Sequence, residues 1–412
     1  MYALLDCNNF YVSCERVFDS SLINRPVICL SNNDGCVIAR SHEAKALNIK
    51  MGIPVYQIQE LIQAENVAIR SANFTLYGDM SNRVMSIIQA HNAKVEMYSI
   101  DEAFFHCTDH EDDALLLMKK LKNTVEQWTG IPVCIGVGQT KTLAKIANHV
   151  AKKSRTGIFC LNETNMSSIL KKTPVHDIWG VGSRFAEKLK AMKIQTAWQL
   201  YQAPESLIRE RFNVVMSRTQ NELKGVSCLA LEEIEPDRKQ IVCSRSFGST
   251  VSHYNELAQA ASNFVHRATE KMRKRNLEAT LITVTINTNP YCQDKQYHQS
   301  GTIRQVPATA STRVLMQHAM AILQKIYQPD YQYKRAGVIL SELSRKEHHQ
   351  QDLFNDKQDD KLAIVMDEIN QRFGRDTIVP GRLAGSYSQW KMHQNHLSNT
   401  YTTDWTQLMK VR

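Results

Sequence analysis

None of the ten cysteines in this 412-residue chain stands in a Cys-x-x-Cys pair. Cys29 and Cys36 come closest to a pair across a loop, but no matching second half of a zinc site follows. Reduced thiols in a cytoplasmic protein are therefore expected, rather than a disulfide frame or a metal finger. No apolar run approaches the roughly 20 residues that cross a bilayer, so no membrane partner is expected. At the N-terminus Met1-Tyr2-Ala3-Leu4-Leu5 meets Asp6 at once, without a secretory signal pattern. Internal repeats and long low-complexity tracts are missing too. What is present is a hydrophobic content of 43%, ample for the cores of two to four domains, and a formal net charge of +9 that favours a polyanionic partner.

The stretch Tyr98-Ser99-Ile100-Asp101-Glu102-Ala103-Phe104-Phe105 sets two adjacent carboxylates between apolar flanks of strand character. The pair is expected at a hairpin turn or a strand end. Side-by-side carboxylates repel, and a fold that holds them together usually supplies a cation. Hard oxygen donors suit Mg²⁺. Taken alone, the pair also reads as a solvated turn. A second acidic strand end changes that balance: Tyr2-Ala3-Leu4-Leu5-Asp6 reads as a short buried strand closed by a carboxylate. Asp6 by itself also reads as a helix N-cap. With Asp6 and Asp101-Glu102 on adjacent strands, three carboxylates can hold two Mg²⁺ ions about 3.5–4 Å apart for in-line phosphoryl displacement.

Farther along, Val27–Leu30 and Cys36–Ala39 read as strands around the turn Ser31-Asn32-Asn33-Asp34-Gly35, and Ser41 is placed to cap a helix from His42 to about Lys50. His42 and Lys45 share one face near the positive end of that helix, which reads either as a grip for a triphosphate or as a solvated helix face. Residues 81–91 and 113–128 read as amphipathic helices, and Pro132–Gly138 as a buried strand whose glycines permit close backbone approach. In the helix from Lys141 to about Lys152, Lys141, Lys145, Asn148 and Lys152 form one polar stripe, opposite Leu143, Ala144, Ala147, Val150 and Ala151. Such a stripe also reads as a solvated face; Lys152, near the helix end, can reach a phosphate. This first section alternates strands and helices.

Trp179-Gly180-Val181-Gly182-Ser183 opens a helix and reads as a helix-hairpin-helix turn that offers backbone N–H groups to a DNA phosphate. Residues 172–235 are helical in pattern, and 232–237 read as an acidic linker. Residues 240–345 give the order β-α-β-β-α-β of a split βαβ unit, made basic by Arg245, Arg267, Arg273, Lys274 and Arg275. Helix C-terminal charge compensation is the alternative for the cluster Arg273-Lys274-Arg275. Gln350-Gln351-Asp352-Leu353-Phe354 places two apolar residues in a polar tract, where a partner's pocket or their own domain must take them.

These motifs, in this order, resemble the Y-family translesion DNA polymerases, in particular those of the polymerase V type. The resemblance rests on Asp6–Glu15, Ser31–Arg40, Tyr98–Phe104, Gln139–Lys145 and Trp179–Gly182, and it spans almost the whole chain. It implies an α+β multidomain, right-handed polymerase: palm at 1–19 and 75–170, fingers at 20–74, helical thumb at 171–237, little finger at 240–345, and a clamp- and partner-binding region at 346–412. It further implies Asp6, Asp101 and Glu102 as catalytic carboxylates holding two Mg²⁺ ions, with the backbone carbonyl of Cys7 as an added ligand. Tyr11 falls at the steric gate; Phe10, Ile38, His42, Lys45 and Lys152 fall around the incoming dNTP. Gly180, Gly182, Ser183, Arg245, Arg273, Lys274 and Arg275 are expected against primer–template DNA. Gln350, Leu353 and Phe354 resemble a sliding-clamp peptide. A processed UmuD-like dimer and RecA are the other partners implied. The function that follows is error-prone translesion synthesis in SOS mutagenesis. Two other readings are open: a non-catalytic DNA-, clamp- and RecA-binding subunit acting as a replication checkpoint, and a different two-metal enzyme such as a nucleotide cyclase.

Overall fold

The computed structural model describes residues 1–92, 94–232, 238–348, 358–374, 376–384, 390 and 392–408. The chain forms two units, Met1–Glu235 together with Asn395–Arg412, and Pro236–Gln394. The stretch after residue 346 thus contributes to both.

The first unit opens with β1 (Tyr2–Cys7), which turns through Asn9 into α1 (Phe10–Phe18). Next come β2 (Val27–Leu30), β3 (Val37–Arg40), α2 (His42–Ala46), α3 (Gln59–Ala64) and β4 (Ala68–Ser71). They are followed by α4 (Phe74–His91), β5 (Val95–Met97), β6 (Glu102–His106), α5 (Glu111–Thr129), β7 (Val133–Gly138), α6 (Lys141–Ala151) and β8 (Ile158–Cys160). The main sheet has the order β5-β6-β1-β7-β8, and a smaller one the order β3-β2-β4. All six residues of β1 are buried, as a central strand covered on both faces requires. One face, carrying Ala3, Leu5, Ala103 and Phe105, packs on α4 and α5 through Leu76, Val84, Met118 and Leu121. The other face, carrying Tyr2, Leu4 and Phe104, meets α6 at Ala144.

Helix α6 lies unusually close to the sheet because β7 offers it no side chain at Gly136. A Cβ there would stand 2.0 Å from the backbone nitrogen of Asn148 and 2.4 Å from the carbonyl oxygen of Ala144. Asn148 locks the contact by donating to the carbonyls of Leu4 and Cys134 at 3.2 and 2.9 Å. The polar stripe expected on α6 is therefore no solvated face. Lys141 and Asn148 are each only 3% exposed, and Lys141 is ion-paired with Glu96. Helix α2 begins as expected, with Ser41 capping the N–H of Ala44, but it stops at Ala46 rather than near Lys50. Asn48 takes a left-handed conformation (φ 58°) that ends it.

Five short helices follow: α7 (Glu163–Lys172), α8 (Ser183–Ala191), α9 (Ala197–Gln202), α10 (Glu205–Arg211) and α11 (Val214–Leu223). They share a core built on Leu170, Leu189, Leu200, Ile208 and Leu223. The buried carboxylate of Glu222 ties them to α6, accepting from the N–H of Thr142, Cys228 and Leu229 at 3.0, 2.7 and 3.2 Å.

The second unit runs β9 (Gln240–Val251), α12 (Tyr254–Arg273), β10 (Leu277–Thr288), β11 (His298–Thr309), α13 (Thr312–Ile326), β12 (Tyr333–Arg345) and α14 (Gln358–Phe373). Its antiparallel sheet has the order β11-β10-β12-β9, so the split βαβ order read from the sequence is present. Ile282, Val284, Ile286, Val338 and Leu340 turn one face of the sheet to the helices and are fully buried. Most of their neighbours on the opposite face are polar: Thr283 pairs with Thr302, Thr285 with Ser300, and Asn287 with both His298 and Arg335, while Ile339 and Val242 are the apolar pair there.

Candidate active site

Strands β1 and β6 are antiparallel, and Asp6 stands directly opposite Glu102. Directly opposed residues have Cβ atoms about 4.5–5.5 Å apart. Asp101 joins them at the hairpin: its carbonyl accepts from the N–H of Cys7 at 2.9 Å, and its Oδ1 accepts from Ser99 Oγ at 2.7 Å. Three carboxylates from two distant stretches thus meet at one end of the sheet.

Two lysines, Lys145 on α6 and Lys152 just past its end, pair with two of the three carboxylates. Lys152 Nζ donates to Asp6 Oδ2 at 2.6 Å, and Lys145 Nζ donates to both carboxylate oxygens of Glu102 at 3.2 Å. Lys145 is held from above by π faces, 4.2 Å from the centre of Tyr98 and 5.4 Å from that of Trp179. The indole N–H of Trp179 donates to Tyr98 Oη at 3.0 Å. Burial pushes the Asp6 carboxyl up from 3.8 to about 6; Lys152 pulls it down, and Glu102 and Asp101 push it further up. A cavity of about 260 Å³ opens here, lined by Leu4, Asp6, Glu102, Lys145, Lys152 and Trp179 among others.

Among the described residues, no three acidic, histidine or cysteine side chains converge closely enough to hold an ion as they lie. Lys152 and Lys145 occupy two of the carboxylates instead. The donor set itself, three carboxylates at one sheet end with Asp6 desolvated, fits hard divalent cations. Cys7 has only its backbone carbonyl to add. Its thiol is buried, and that burial, followed by the charge of Asp6, pushes its pKa well up.

Tyr11 stands on α1, its ring stacked on Tyr77 at 4.5 Å between centres and edge-on to Phe74 at 5.9 Å. Burial raises its hydroxyl pKa, and Asp101 is the next contributor. Ile38 on β3 packs against the same core. Phe10, grouped on sequence with the nucleotide-binding residues, has its ring in the core at 3% exposure, 5.9 Å from the ring of Tyr11.

His42 and Lys45 are exposed on α2. Lys45 donates to Asn9 Oδ1 at 2.5 Å. Desolvation draws its ammonium pKa down, as do Arg40 and Lys152, so these three cations share one neighbourhood. Asn9 and Arg40 were not singled out on sequence. Asn9, in a left-handed turn between strand and helix (φ 48°), was the more findable signal.

Gly180, Gly182 and Ser183 are exposed, with Gly180 at φ 87° and Gly182 at the N-cap of α8. Val181 is buried between them and anchors the turn in the helical core. In the second unit Arg245 is exposed, and Lys274 is exposed while paired with Glu270 at 2.9 Å. Arg275 is exposed as well. Arg273 departs from expectation. Its side chain is 10% exposed and forms a two-pronged ion pair with Asp367 at 2.7 and 2.8 Å, with further bonds to Ala310 and Thr312. It fastens α14 to α12, and its charge is already met by Asp367. The open face of the sheet also carries Arg335 and Arg304, the latter paired with Glu342 at 2.7 Å; sequence reading did not single them out, because alternation within a strand does not reveal which face is open. Gln350, Leu353 and Phe354 lie outside the described residues.

The fold is that of the Y-family DNA polymerases. A Y-family polymerase chimera built on Dbh matches with a TM-score of 0.68, covering 84% of this chain and 99% of that one at 19% identity. An insertion ternary complex of Dbh DNA polymerase matches at 0.55, with the same coverage and identity. The chain belongs to the impB/mucB/samB family, whose model matches residues 5–149 and whose C-terminal domain matches 238–353. Protein UmuC of Salmonella typhimurium strain LT2 is 40% identical and protein ImpB of Salmonella typhimurium 38% identical, each over 100% of both chains. DNA polymerase IV of Bacillus velezensis is 26% identical over 92% of this chain and 91% of its own. Residues 360–411 match a domain of unknown function. No described helix is long and apolar enough to cross a membrane.

Proposed function

We propose that this chain is the catalytic subunit of a polymerase V-like complex, copying damaged DNA by template-directed, error-prone nucleotidyl transfer. The observation that carries this reading is the pairing of Asp6 with Glu102 across β1 and β6, with Asp101 next in the chain. On this reading 1–19 and 75–170 form the palm, 20–74 the fingers, 171–237 the thumb and 240–345 the little finger.

Asp6, Asp101, Glu102 and the Cys7 carbonyl would hold two Mg²⁺ ions, which when bound supply positive charge to the reacting oxygens. The primer 3′-hydroxyl attacks the α-phosphate, and the bond to pyrophosphate breaks as the new P–O bond forms. Lys152, Lys45 and His42 position the triphosphate and offset charge building on the leaving pyrophosphate. Lys152 is half-exposed and bonded to Asp6, so an arriving triphosphate offers it a second anion. Tyr11, braced by Tyr77, excludes a sugar 2′-hydroxyl; Ile38 lies over the nascent base pair. The fingers, built on only a three-stranded sheet, leave room for an altered template base at the expense of selectivity.

Gly180, Gly182, Ser183, Arg245, Lys274, Arg275 and the polar sheet face with Arg304 and Arg335 would hold the DNA backbone. A processed UmuD-like dimer, RecA and a sliding clamp, the last through Gln350, Leu353 and Phe354, complete the assembly. The full-length likeness to UmuC supports that placement. The test is primer extension with Mg²⁺ on undamaged and abasic templates, with and without the processed UmuD dimer, clamp and RecA filament. Template-directed extension past the abasic site is expected. No extension in any combination would leave the checkpoint subunit as the better reading, and template-independent turnover of a nucleotide would leave a cyclase.

A further inference from the structure

The segment from Asn395 returns to the first unit and crosses the back of the Tyr11 site. The His396 N–H donates to Ser71 Oγ at 3.0 Å, and the Ser71 N–H donates to the His396 carbonyl at 3.0 Å, so the segment continues from the end of β4. Asn73 Nδ2 donates to the carbonyls of Ser398 and Asn399 at 3.1 and 3.2 Å. The other end of the same amide, Asn73 Oδ1, caps the N–H of Leu76 at the start of α4. That first turn carries both Phe74 and Tyr77, the two α4 rings against Tyr11.

A second route reaches the same ring. Ser398 Oγ donates to Glu15 Oε1 at 3.0 Å, and Tyr77 Oη donates to that same oxygen at 2.7 Å. Glu15 is 1% exposed and Tyr77 fully buried, so the Tyr77 hydroxyl has no water as a substitute partner, while Ser398 is half-buried. Tyr401 stacks on Phe18 of α1 at 4.9 Å and holds the segment against the helix that bears Tyr11.

We infer that residues 395–401 act in cis as a positioning element for sugar discrimination. They hold Asn73 and Glu15, and through them Phe74 and Tyr77, so that the Tyr11 ring keeps the plane that meets a ribose 2′-hydroxyl. This gives a role to part of the C-terminal domain of unknown function, and it rests on the reading of Tyr11 as the sugar gate.

The experiment measures kcat/KM for single dNTP and rNTP insertion by full-length chain assembled with its partners. Variants are Tyr77→Phe, Ser398→Ala, Asn73→Asp (which keeps the α4 cap but loses the donor to the segment) and Tyr11→Ala as the gate control. Loss of one buried hydrogen bond is expected to lower the dNTP/rNTP ratio about 3- to 10-fold, through faster rNTP insertion, while dNTP insertion stays within about twofold. Ser398→Thr, which keeps the hydroxyl, is expected to restore the ratio. An unchanged ratio in all three positioning variants, with Tyr11→Ala collapsing it, overturns the inference and leaves the gate standing. An equal fall of dNTP and rNTP insertion also overturns it, since that marks mere loss of structure. An unchanged ratio in Tyr11→Ala refutes the gate itself. Should Asn73→Asp fail to fold by thermal melting, Tyr77→Phe and Ser398→Ala, each lacking one hydroxyl, decide the matter.

Discussion

Lys152 Nζ donates to Asp6 Oδ2 at 2.6 Å, joining the end of the first strand to the end of a helix 146 residues later. That pair only partly relieves Asp6, whose carboxyl burial pushes up to about 6. A carboxyl whose folded pKa lies above its unfolded one favours folding below the unfolded value, and that contribution is lost as pH rises through the folded value. Ionised Asp6 therefore costs the metal-free fold about 3 kcal/mol at most near pH 8. Asp6→Asn is expected to raise the metal-free Tm at pH 8, with the gain shrinking as pH falls below about 6 and vanishing only below the unfolded value of 3.8. Mg²⁺ is expected to raise the Tm of the wild-type chain at pH 8 but not that of the variant. Thermal melts from pH 8 to below about pH 4 check both; a gain that grows as pH falls would contradict the sign.

Gly136 lets α6 approach the sheet, and with it the lysines that face the carboxylates. In Gly136→Ala the added Cβ meets backbone rather than a flexible side chain, so the helix itself must move. Overpacking of this kind costs about 1–3 kcal/mol or more. A lowered Tm is expected, together with a raised KM for dNTP as Lys152 shifts. Gly52, where an added Cβ meets nothing within 4 Å, is the comparison for crowding, although its φ of 75° makes Ala strained there too.

Arg273 and Arg335 are expected to behave oppositely. Arg273→Ala strands the half-buried Asp367 carboxylate and should lower stability by about 3–5 kcal/mol, with no change in the salt dependence of DNA binding. Arg335→Ala, on the open polar face, should leave the melt unchanged and reduce the slope of log K against log salt by about 1. Melting curves and salt titrations of DNA binding separate the two. A reduced slope for Arg273→Ala would return that residue to the DNA face.

Much of this was legible before any coordinates. Asp6 and Asp101-Glu102 could be read as acidic strand ends because each ends or begins an apolar run, while the pairing of their two strands is what the structure adds; the β-α-β-β-α-β order of the second unit followed from β-branched runs, helical spacing and a capping Ser or Thr. Ser41 announced its helix by capping chemistry. What escaped were features set by tertiary packing. Lys141 and Asn148 look like a wet stripe until α6 is pressed between the sheet and the segment around Ala230, whose carbonyl accepts from Lys141 at 2.6 Å. Arg273 sits in a basic cluster, yet its partner Asp367 lies 94 residues away. The return of residues 395–401 to Ser71, Asn73 and Glu15 has no local signature at all, because its bonds are mostly to backbone and side chains more than 300 residues distant.

The most direct measurement is extension of a primed template by Asp101→Asn in Mg²⁺, set beside DNA affinity in the same preparation. The substitution removes one negative oxygen donor at the hairpin and leaves the backbone bond from Cys7 in place. Loss of synthesis with DNA binding within about twofold of wild type is the expected result, since charge at the reacting oxygens is lost and phosphate contacts are kept. Undiminished synthesis would contradict the assignment of these carboxylates to catalysis.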